Sequence, residues 1–287
     1  MIIEPVRQAV QIVVLLILLC STGNMSAQEP LTFGVHPYLP ATELLRRFSP
    51  LADHLSEHIA QPVQLRIASD YQTHIREVGK DRLDIAYLGP APYVKMVEAY
   101  GRKPVLARLE VLGVPFFRGA IVTRNDSPIE YLSELEGTRF AFGDRFSTMS
   151  HLVPRYVLWT AGVDTAALSE FEFLGSHHNV ALGVLIGDFE AGAVKEEVVA
   201  RYAQRGLRVL ATTPPISEHL FVTRNTMAPA MVTSLRQGLY ELNKDSQGRR
   251  IIQMIKATAT GLVPVSDKDY DNLRDIFDEL RNLGVQF

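Results

Sequence analysis

Short β-type runs alternate with amphipathic stretches from Leu31 onward, and this alternation limits the fold more than any other feature of the chain. The pattern predicts strands over 31–35, 63–67 and 84–88, and helices over 42–59, 70–78 and 91–100. Pro50 lies inside the first helix and predicts a kink or a restart there. Strand–helix alternation with short connections is typical of α/β folds whose sheets are mostly parallel.

The same alternation starts again in the second half of the chain. It predicts strands over 139–142, 171–174, 189–194 and 207–211, and helices over 149–161, 178–186 and 195–205. Three helical stretches, over about 228–242, 249–256 and 267–283, complete the chain, and no further strand is predicted among them. Two α/β sets followed by helices predict two lobes rather than one continuous sheet.

One short pattern occurs twice: Ile121-Val-Thr-Arg-Asn125 returns as Phe221-Val-Thr-Arg-Asn225. We interpret the two copies as strands that carry the chain between the lobes, with coincidence in β-rich sequence as the alternative. The predicted division places 29–117 and 225–287 in the first lobe and 118–224 in the second. In such architectures ligands bind in the cleft, at the carboxyl ends of strands and the N-termini of helices.

The composition of the 287 residues narrows the functional classes. Hydrophobic residues make up 47% and charged residues 21%, which is typical of a soluble globular protein and excludes a disordered or polytopic membrane chain. A net charge of -3 offers no basic excess for a polyanion, so no nucleic-acid partner is predicted. A single cysteine excludes an internal disulfide framework and a zinc site built from cysteines.

The N-terminal segment is predicted to direct export rather than to join the core. Ile12–Leu19 is an uninterrupted apolar run, too short to span a bilayer comfortably but typical of a secretory signal. We predict a signal peptide over 1–27, cleavage after Ala27, and a periplasmic location. Lipidation of Cys20 and an uncleaved N-terminal anchor stay open as alternatives.

The sequence lacks the common catalytic and cofactor motifs. It contains no Gly-x-Ser-x-Gly elbow, no phosphate-binding Gly-x4-Gly-Lys loop, no dinucleotide fingerprint and no His-Glu-x-x-His. The neighbouring His177 and His178 would point in different directions on a helix, and no carboxylate lies at a helpful spacing. We therefore predict no catalytic residue, no cofactor and no metal.

The stretch from Gly143 to Pro154 is the most informative part of the chain. It joins a predicted strand to an amphipathic helix through a turn rich in hydroxyl groups: Ser147, Thr148 and Ser150. Free amides and the positive end of the helix dipole, together with these hydroxyls, suit a tetrahedral oxyanion. Ordinary helix capping is the alternative, since Ser and Thr cap helices routinely.

This stretch resembles the Gly-Asp-x-x-Ser-Thr-Ser-Gly segment of periplasmic phosphonate-binding proteins, the substrate-binding components of ABC importers. Further matches occur in the same order along the chain, at Asp70-Tyr71, 84–90 with Tyr93, Ser133-x-Leu135-x-Gly137, Ser176-His177 and Asp269-Tyr270. The resemblance covers about 31–276. It implies a two-lobed type II periplasmic binding protein fold with two crossover strands as the hinge.

The resemblance also implies the ligand-binding residues. The family's phosphonate-binding Ser and Thr correspond to Ser147 and Thr148, its cleft histidine to His177, and its first-lobe tyrosine to Tyr71. Tyr93 and Ser150 complete the set of expected ligand contacts. Hydroxyl and imidazole groups donate hydrogen bonds to an oxyanion without an arginine or lysine.

Four positions depart from the family pattern. The Phe116-Phe117 pair replaces a tyrosine and predicts an apolar wall, while Met149 and Ser150 stand where Ser and Gly are usual. His219 stands where relatives have an acidic residue for the amine of an aminophosphonate, which argues against an amine-bearing ligand. The sequence leaves open whether any of five charged residues near the expected cleft contacts the ligand: Arg118, Arg145, Glu190, Glu196 and Glu197.

The expected function is capture of a small oxyanion such as phosphonate, phosphite or phosphate by a monomeric exported protein. Its expected partner is the membrane permease of an ABC importer. A sensor that signals to a membrane histidine kinase is the alternative, since the same fold serves both. An enzyme using Ser147 and His177 as nucleophile and base is less favoured, because a helix-capping serine is not a nucleophile elbow.

Overall fold

The computed structural model describes residues 28–285. The predicted signal peptide, the cleavage after Ala27 and the alternatives at Cys20 lie outside the described residues. Within 28–285, every helix is too short or too polar to span a lipid bilayer.

The described chain contains thirteen strands and nine α-helices, which alternate except around the two crossings between the lobes and near the C-terminus. Its strands are β1 (Leu31–Val35), β2 (Val63–Ile67), β3 (Ile85–Leu88), β4 (Val105–Val111), β5 (Phe116–Phe117), β6 (Gly119–Arg124), β7 (Arg139–Phe142), β8 (Glu170–Phe173), β9 (Ala191–Lys195), β10 (Leu207–Thr212), β11 (Ile216–Ser217), β12 (Leu220–Thr223) and β13 (Ala259–Val263). Its helices are α1 (Ala41–Ile59), α2 (Tyr71–Gly79), α3 (Pro90–Tyr100), α4 (Val153–Thr160), α5 (His177–Ile186), α6 (Glu196–Tyr202), α7 (Pro229–Glu241), α8 (Ser246–Ile255) and α9 (Asp271–Asn282).

Two mixed sheets form the two lobes, in agreement with the predicted α/β class. The first has the order β13-β4-β12-β3-β1-β2 and the second the order β10-β6-β9-β7-β8. Strands β2, β1 and β3 run parallel, as do β8, β7 and β9, whereas the strands next to the crossings pair antiparallel. Each sheet therefore keeps a parallel half, and the carboxyl ends of those strands meet at one edge.

Helices cover both faces of each sheet because the strands are apolar on both sides. In β3, Ile85 and Tyr87 face the core beneath α1, α7 and α8, while Ala86 and Leu88 face the core beneath α2, α3 and α9. The second of these cores continues into the other lobe through Met149. The lobes are thus in apolar contact on one side of the cleft.

The chain crosses between the lobes at β5 and β11, which pair antiparallel as a two-stranded ribbon. The repeated Val-Thr-Arg-Asn pattern does not form this ribbon, because its copies fall in β6 and β12, one in each sheet. The repeat thus marks the strand that follows each crossing. The predicted second lobe, 118–224, extends too far, since β12 pairs with β3 and β4 in the first lobe's sheet.

Two other expectations differ from the structure. Residues 259–263 form edge strand β13, where only helices were predicted. Helix α1 runs without a break through Pro50, which lies in the interior of its 19 residues. Proline removes one hydrogen bond there, and the buried face formed by Leu44, Phe48 and Leu51 keeps the helix against the sheet.

Candidate functional site

A small cavity of about 30 Å³ lies between the lobes, beside the crossover ribbon. Residues from both lobes and from β5 line it: His36, Tyr38, Tyr71, Gly89, Pro92, Phe117, Ser147, Thr148, Met149, His177, Lys195 and His219. Five of them directly follow a strand or begin a helix: His36, Tyr71, Gly89, Thr148 and His177. The cavity therefore occupies the place where α/β folds usually bind ligands.

Four helix N-termini converge on this cavity. Tyr71 is the first residue of α2, Gly89 is the N-cap of α3, and His177 is the first residue of α5. The fourth N-terminus is a π-helical turn over Thr148–Leu152 that leads directly into α4. Each helix start carries free amides and about half a positive charge, so the cavity has a positive potential from the backbone alone.

The hydroxyl-rich turn folds as its sequence predicts at Ser147. The Asp144 carboxylate accepts a hydrogen bond from the Phe146 amide at 2.7 Å, which closes the turn after β7. The Ser147 hydroxyl oxygen then accepts from the Ser150 amide at 3.2 Å and caps the π turn. The Ser147 hydroxyl is buried and lines the cavity, and its proton is left for an acceptor inside it.

Thr148 joins the two lobes directly. Its hydroxyl oxygen accepts a buried hydrogen bond of 3.0 Å from the amide of Ala91, at the start of α3 in the first lobe. Since the oxygen is the acceptor in that bond, the hydroxyl proton is available to the cavity. Thr148 thus caps a helix of the opposite lobe in this arrangement of the lobes.

Ser150 lies outside the cavity, contrary to the prediction. It stands two residues beyond Thr148, and residues two apart on a helix point to nearly opposite sides. Its hydroxyl packs against Gly143, where a methyl group would lie 2.1 Å from the Ser150 oxygen, and it has no hydrogen-bond partner. Ser150 therefore requires a glycine at 143 rather than contacting a ligand.

The two predicted tyrosines have different surroundings. Tyr71 lines the cavity with its ring 5.2 Å from that of His36, and burial raises its pKa, so the hydroxyl keeps its proton. Tyr93 is completely buried in the first lobe, where its hydroxyl donates to Asp267 at 2.8 Å and its ring packs on Tyr270. Tyr93 is thus placed in the core, and Pro92 occupies the cavity side of α3.

His177 presents a hydrogen-bond donor to the cavity. The Lys195 amide donates to its Nδ1 at 3.1 Å, so the proton of the neutral ring resides on Nε2. Burial, with a smaller effect of the Lys195 charge, lowers the pKa of His177 to about 3. His177 is therefore a neutral donor at physiological pH.

A buried network of charges borders the cavity. Glu218 is fully buried and accepts from Lys256 at 2.7 Å, and Lys195 pairs with Glu197 at 2.5 Å. Burial alone would raise the pKa of Glu218, but the hydrogen bond from His219 and the charge of Lys256 outweigh it and lower the pKa to about 2. Two cations and two carboxylates balance each other here. The excess positive potential is thus supplied by the helix N-termini.

The other charged residues considered from sequence have roles elsewhere. Arg118 donates to the Thr213 carbonyl at 2.8 Å, and the Arg145 guanidinium lies 4.3 Å from the centre of the Phe173 ring. Glu190 pairs with Arg139. Of Glu190, Glu196 and Glu197, only Glu197 lines the larger part of the cleft, together with Glu43. The predicted apolar wall is present at the cavity only in Phe117.

A larger space of about 640 Å³ adjoins the cavity and shares Tyr38, His177 and Lys195 with it. It extends between the lobes toward Arg47 and Arg201. These three shared residues separate the small cavity from the outer part of the cleft.

Sequence reasoning did not identify several residues that line the cavity, among them His36, Tyr38 and Lys195, whereas it had considered Phe117 and His219 at the cleft. One signal could have found two of them. His36 follows β1 directly and Lys195 ends β9, and both strands belong to the parallel halves of their sheets. Carboxyl ends of parallel strands are the expected position of ligand-binding residues.

Comparison with known proteins relates the chain to periplasmic transport proteins. Residues 33–270 match the family described as ABC transporter, phosphonate, periplasmic substrate-binding protein. The phosphate-import protein PhnD of Mycolicibacterium smegmatis is 25% identical, covering 90% of this chain and 88% of that protein. The probable ABC transporter phosphite binding protein PhnD1 of Prochlorococcus marinus is 23% identical, covering 92% and 94%. The structure of PhnD1 in complex with methylphosphonate superimposes with a TM-score of 0.79 at 22% identity, covering 88% of this chain and 98% of that one.

Proposed function

Because the chain belongs to the periplasmic substrate-binding proteins of phosphonate ABC transporters, a family of non-enzymatic transport proteins, we propose that it captures one small tetrahedral oxyanion between its lobes. Phosphonates, phosphite and phosphate are the candidate ligands. The loaded protein delivers the anion to the permease of an ABC importer from the periplasmic side.

The convergence of four helix N-termini on one small cavity carries this proposal. Each terminus is equivalent to about half an elementary charge, so four together supply up to roughly two positive charges. That sum suits a mono- or dianion. A neutral or cationic ligand would gain nothing from it, since the neighbouring side-chain charges are already paired.

The side chains add donors that are specific for oxygen. Ser147, Thr148 and Tyr71 offer hydroxyl protons and His177 offers Nε2–H, while the wall at Phe117 offers none. Hydrogen bonds to a charged acceptor contribute about 1.5–3 kcal/mol each. Donors around the cavity match a tetrahedral group better than a planar one, because they approach from both lobes.

The cavity size restricts the bound group. A water molecule requires roughly 10–15 Å³ of such space, so about 30 Å³ accepts a head group of a few atoms and excludes a bulky one. An organic substituent on the phosphorus atom has room only past Tyr38 and His177, in the adjoining larger space.

Calorimetry and thermal shift with methylphosphonate, phosphite and phosphate test the proposal, with acetate as a planar control. At least one tetrahedral anion should raise the melting temperature and bind with one-to-one stoichiometry. A flat response to all three would contradict the proposal.

Ser147→Ala tests the site itself. Loss of one charge-assisted hydrogen bond of 1.5–3 kcal/mol predicts an affinity about 10- to 150-fold lower. Asp245→Ala is the matched control, because Asp245 also caps a helix, accepting from the Gly248 amide at 2.7 Å at the start of α8. The control should lower stability and leave the affinity unchanged, and equal losses of affinity in both variants would contradict the assignment of Ser147.

A further inference from the structure

Two histidines face the cavity with a lone pair rather than with a proton. His36 is buried, and its Nδ1 lies 3.2 Å from the carbonyl oxygen of Tyr87. A carbonyl oxygen only accepts hydrogen bonds, so Nδ1 carries the proton of the neutral ring. The other nitrogen, Nε2, is then an acceptor.

His219 has the same orientation for a different reason. The Glu218 carboxylate accepts from both the amide and Nδ1 of His219, at 3.0 and 2.9 Å. Lys256 holds that carboxylate ionised from the other side at 2.7 Å. The proton of a neutral His219 is therefore on Nδ1, and Nε2 is an acceptor close to Gly89, where a methyl group would lie 3.4 Å from it.

The charged and titratable neighbours keep both rings neutral in the empty cavity. Around His36, burial is the main cause of a lowered pKa, and the charges of His219, His74 and Lys195 add to it. Around His219, burial with Lys256 and Lys195 outweighs the opposing effect of Glu218. The facing tyrosines, Tyr38, Tyr71 and Tyr87, are neutral because burial raises the pKa of each.

His177 provides the contrast within the same cavity. Its Nδ1 accepts from the Lys195 amide, so its Nε2 donates. The cavity thus combines hydrogen-bond donors from both lobes with two acceptors, Nε2 of His36 and of His219, on the side of the first lobe. An oxyanion without a proton can accept hydrogen bonds from the donors. It has no proton to donate to Nε2 of His36 and His219, so these two acceptors would face its oxygen lone pairs.

We propose that His36 and His219 are specificity-determining residues that accept a hydrogen bond from a P–OH group, so that the site selects oxyanions able to carry a proton. This inference rests on the proposed function. Phosphonate, phosphite and phosphate monoanions carry such a proton, whereas a sulfonate of the same shape does not at working pH. A fully ionised phosphonate takes up one proton from solvent when it binds, so that it is held as the same monoanion with one P–OH group.

Methylphosphonate and methanesulfonate form a matched pair for the test, because they share shape and size and differ in the titratable proton. Calorimetry on the mature protein, between pH 5.5 and 8.5 and in buffers of different ionisation enthalpy, measures both affinity and proton uptake. Methylphosphonate should bind at least about tenfold tighter, since an acceptor left facing an acceptor is unfavourable in a buried site. At pH 8.5 its binding should take up about one proton. Equal affinities, or no proton uptake at pH 8.5, would overturn the inference.

His36→Gln and His219→Gln identify the residues responsible. A glutamine amide can turn its NH₂ toward the cavity and donate to an unprotonated oxygen. Each variant should therefore narrow the affinity ratio between the two ligands, whereas a merely structural role would weaken both ligands equally and would contradict the assignment. His58→Gln is the control, since His58 pairs with Glu241 and lines neither the small cavity nor the larger space. The affinity ratio of this variant should be unchanged.

The two proposals fail in different ways. If the wild-type protein binds neither phosphorus oxyanions nor the sulfonate, the proposed function is wrong, and this inference is wrong with it. If it binds methylphosphonate and methanesulfonate equally well, oxyanion capture stands and the role of the two histidines is refuted. The wild-type measurements decide this even where a variant fails to fold.

Discussion

Replacing Thr148 by valine should weaken ligand binding by favouring the open form of the protein. Valine keeps the shape of threonine and removes the oxygen that accepts the buried 3.0 Å hydrogen bond from Ala91. In the open form the Ala91 amide can bind water, but in the closed form of the variant it would be buried without a partner. The substitution thus changes the free-energy difference between the open and closed forms.

The magnitude follows from the cost of an unsatisfied buried amide, roughly 1–3 kcal/mol. Since 1.4 kcal/mol is a factor of ten, the closing equilibrium should shift about 5- to 150-fold toward the open form. A ligand that binds the closed form loses apparent affinity by the same factor. Loss of the hydroxyl as a direct donor would add to this, so the lower end of the range is the minimum expected.

Calorimetry with methylphosphonate measures the affinity, and small-angle X-ray scattering with and without ligand measures the radius of gyration. Wild-type protein should become more compact with ligand, and Thr148→Val should need a correspondingly higher concentration to do so. Thr148→Ser keeps the hydroxyl and is the control that should stay near wild-type. An affinity of Thr148→Val within twofold of wild-type would refute the role of this bond in closure.

Three further predictions concern stability. Tyr93→Phe removes the hydrogen bond to the Asp267 carboxylate, so thermal denaturation should show a free energy of unfolding lower by about 1.5–3 kcal/mol. A loss of oxyanion affinity beyond twofold would contradict the core position of Tyr93. Gly143→Ala places a methyl group 2.1 Å from the Ser150 hydroxyl and should lower the free energy of unfolding by about 1–3 kcal/mol. Adding Ser150→Gly should restore part of this loss in the double variant. An unchanged melting temperature in Gly143→Ala would count against the close contact. Burial lowers the pKa of three histidines from 6.5 to about 3 or 4: His74, His151 and His177. These residues bind protons mainly after unfolding, so the free energy of unfolding in urea titrations should be highest above pH 6.5 and decline below it, by up to about 1.4 kcal/mol per residue and pH unit. A flat profile between pH 7 and 5 would refute this.

Local sequence patterns predicted those parts of the site that depend on a single turn. Ser147 and Thr148 stand at a strand-to-helix junction, and Tyr71 and His177 each follow a good N-cap, Asp70 and Ser176. Their position at a helix start follows from propensity and capping alone. The structure brings all four to one cavity, as expected for helices that start at the same edge of two facing sheets.

Features that depend on contacts distant in sequence could not be predicted in this way. The family resemblance implied Tyr93 as a ligand contact, but its hydroxyl pairs with Asp267, which is 174 positions away. The acceptor nitrogens of His36 and His219 depend on the Tyr87 carbonyl and the Glu218 carboxylate. The crossover strands β5 and β11 contain two residues each, too few to show any periodicity.

Because backbone amides attract the anion, the attraction for negative charge is separated from the selectivity among anions, whereas sites built from charged side chains usually combine the two. The pull on negative charge depends on where four helices begin, and a substitution of a single side chain leaves those starts in place. The choice among anions depends on the few side chains between them. Ligand specificity can therefore evolve in such a protein by single substitutions, because every intermediate keeps the attraction for anions.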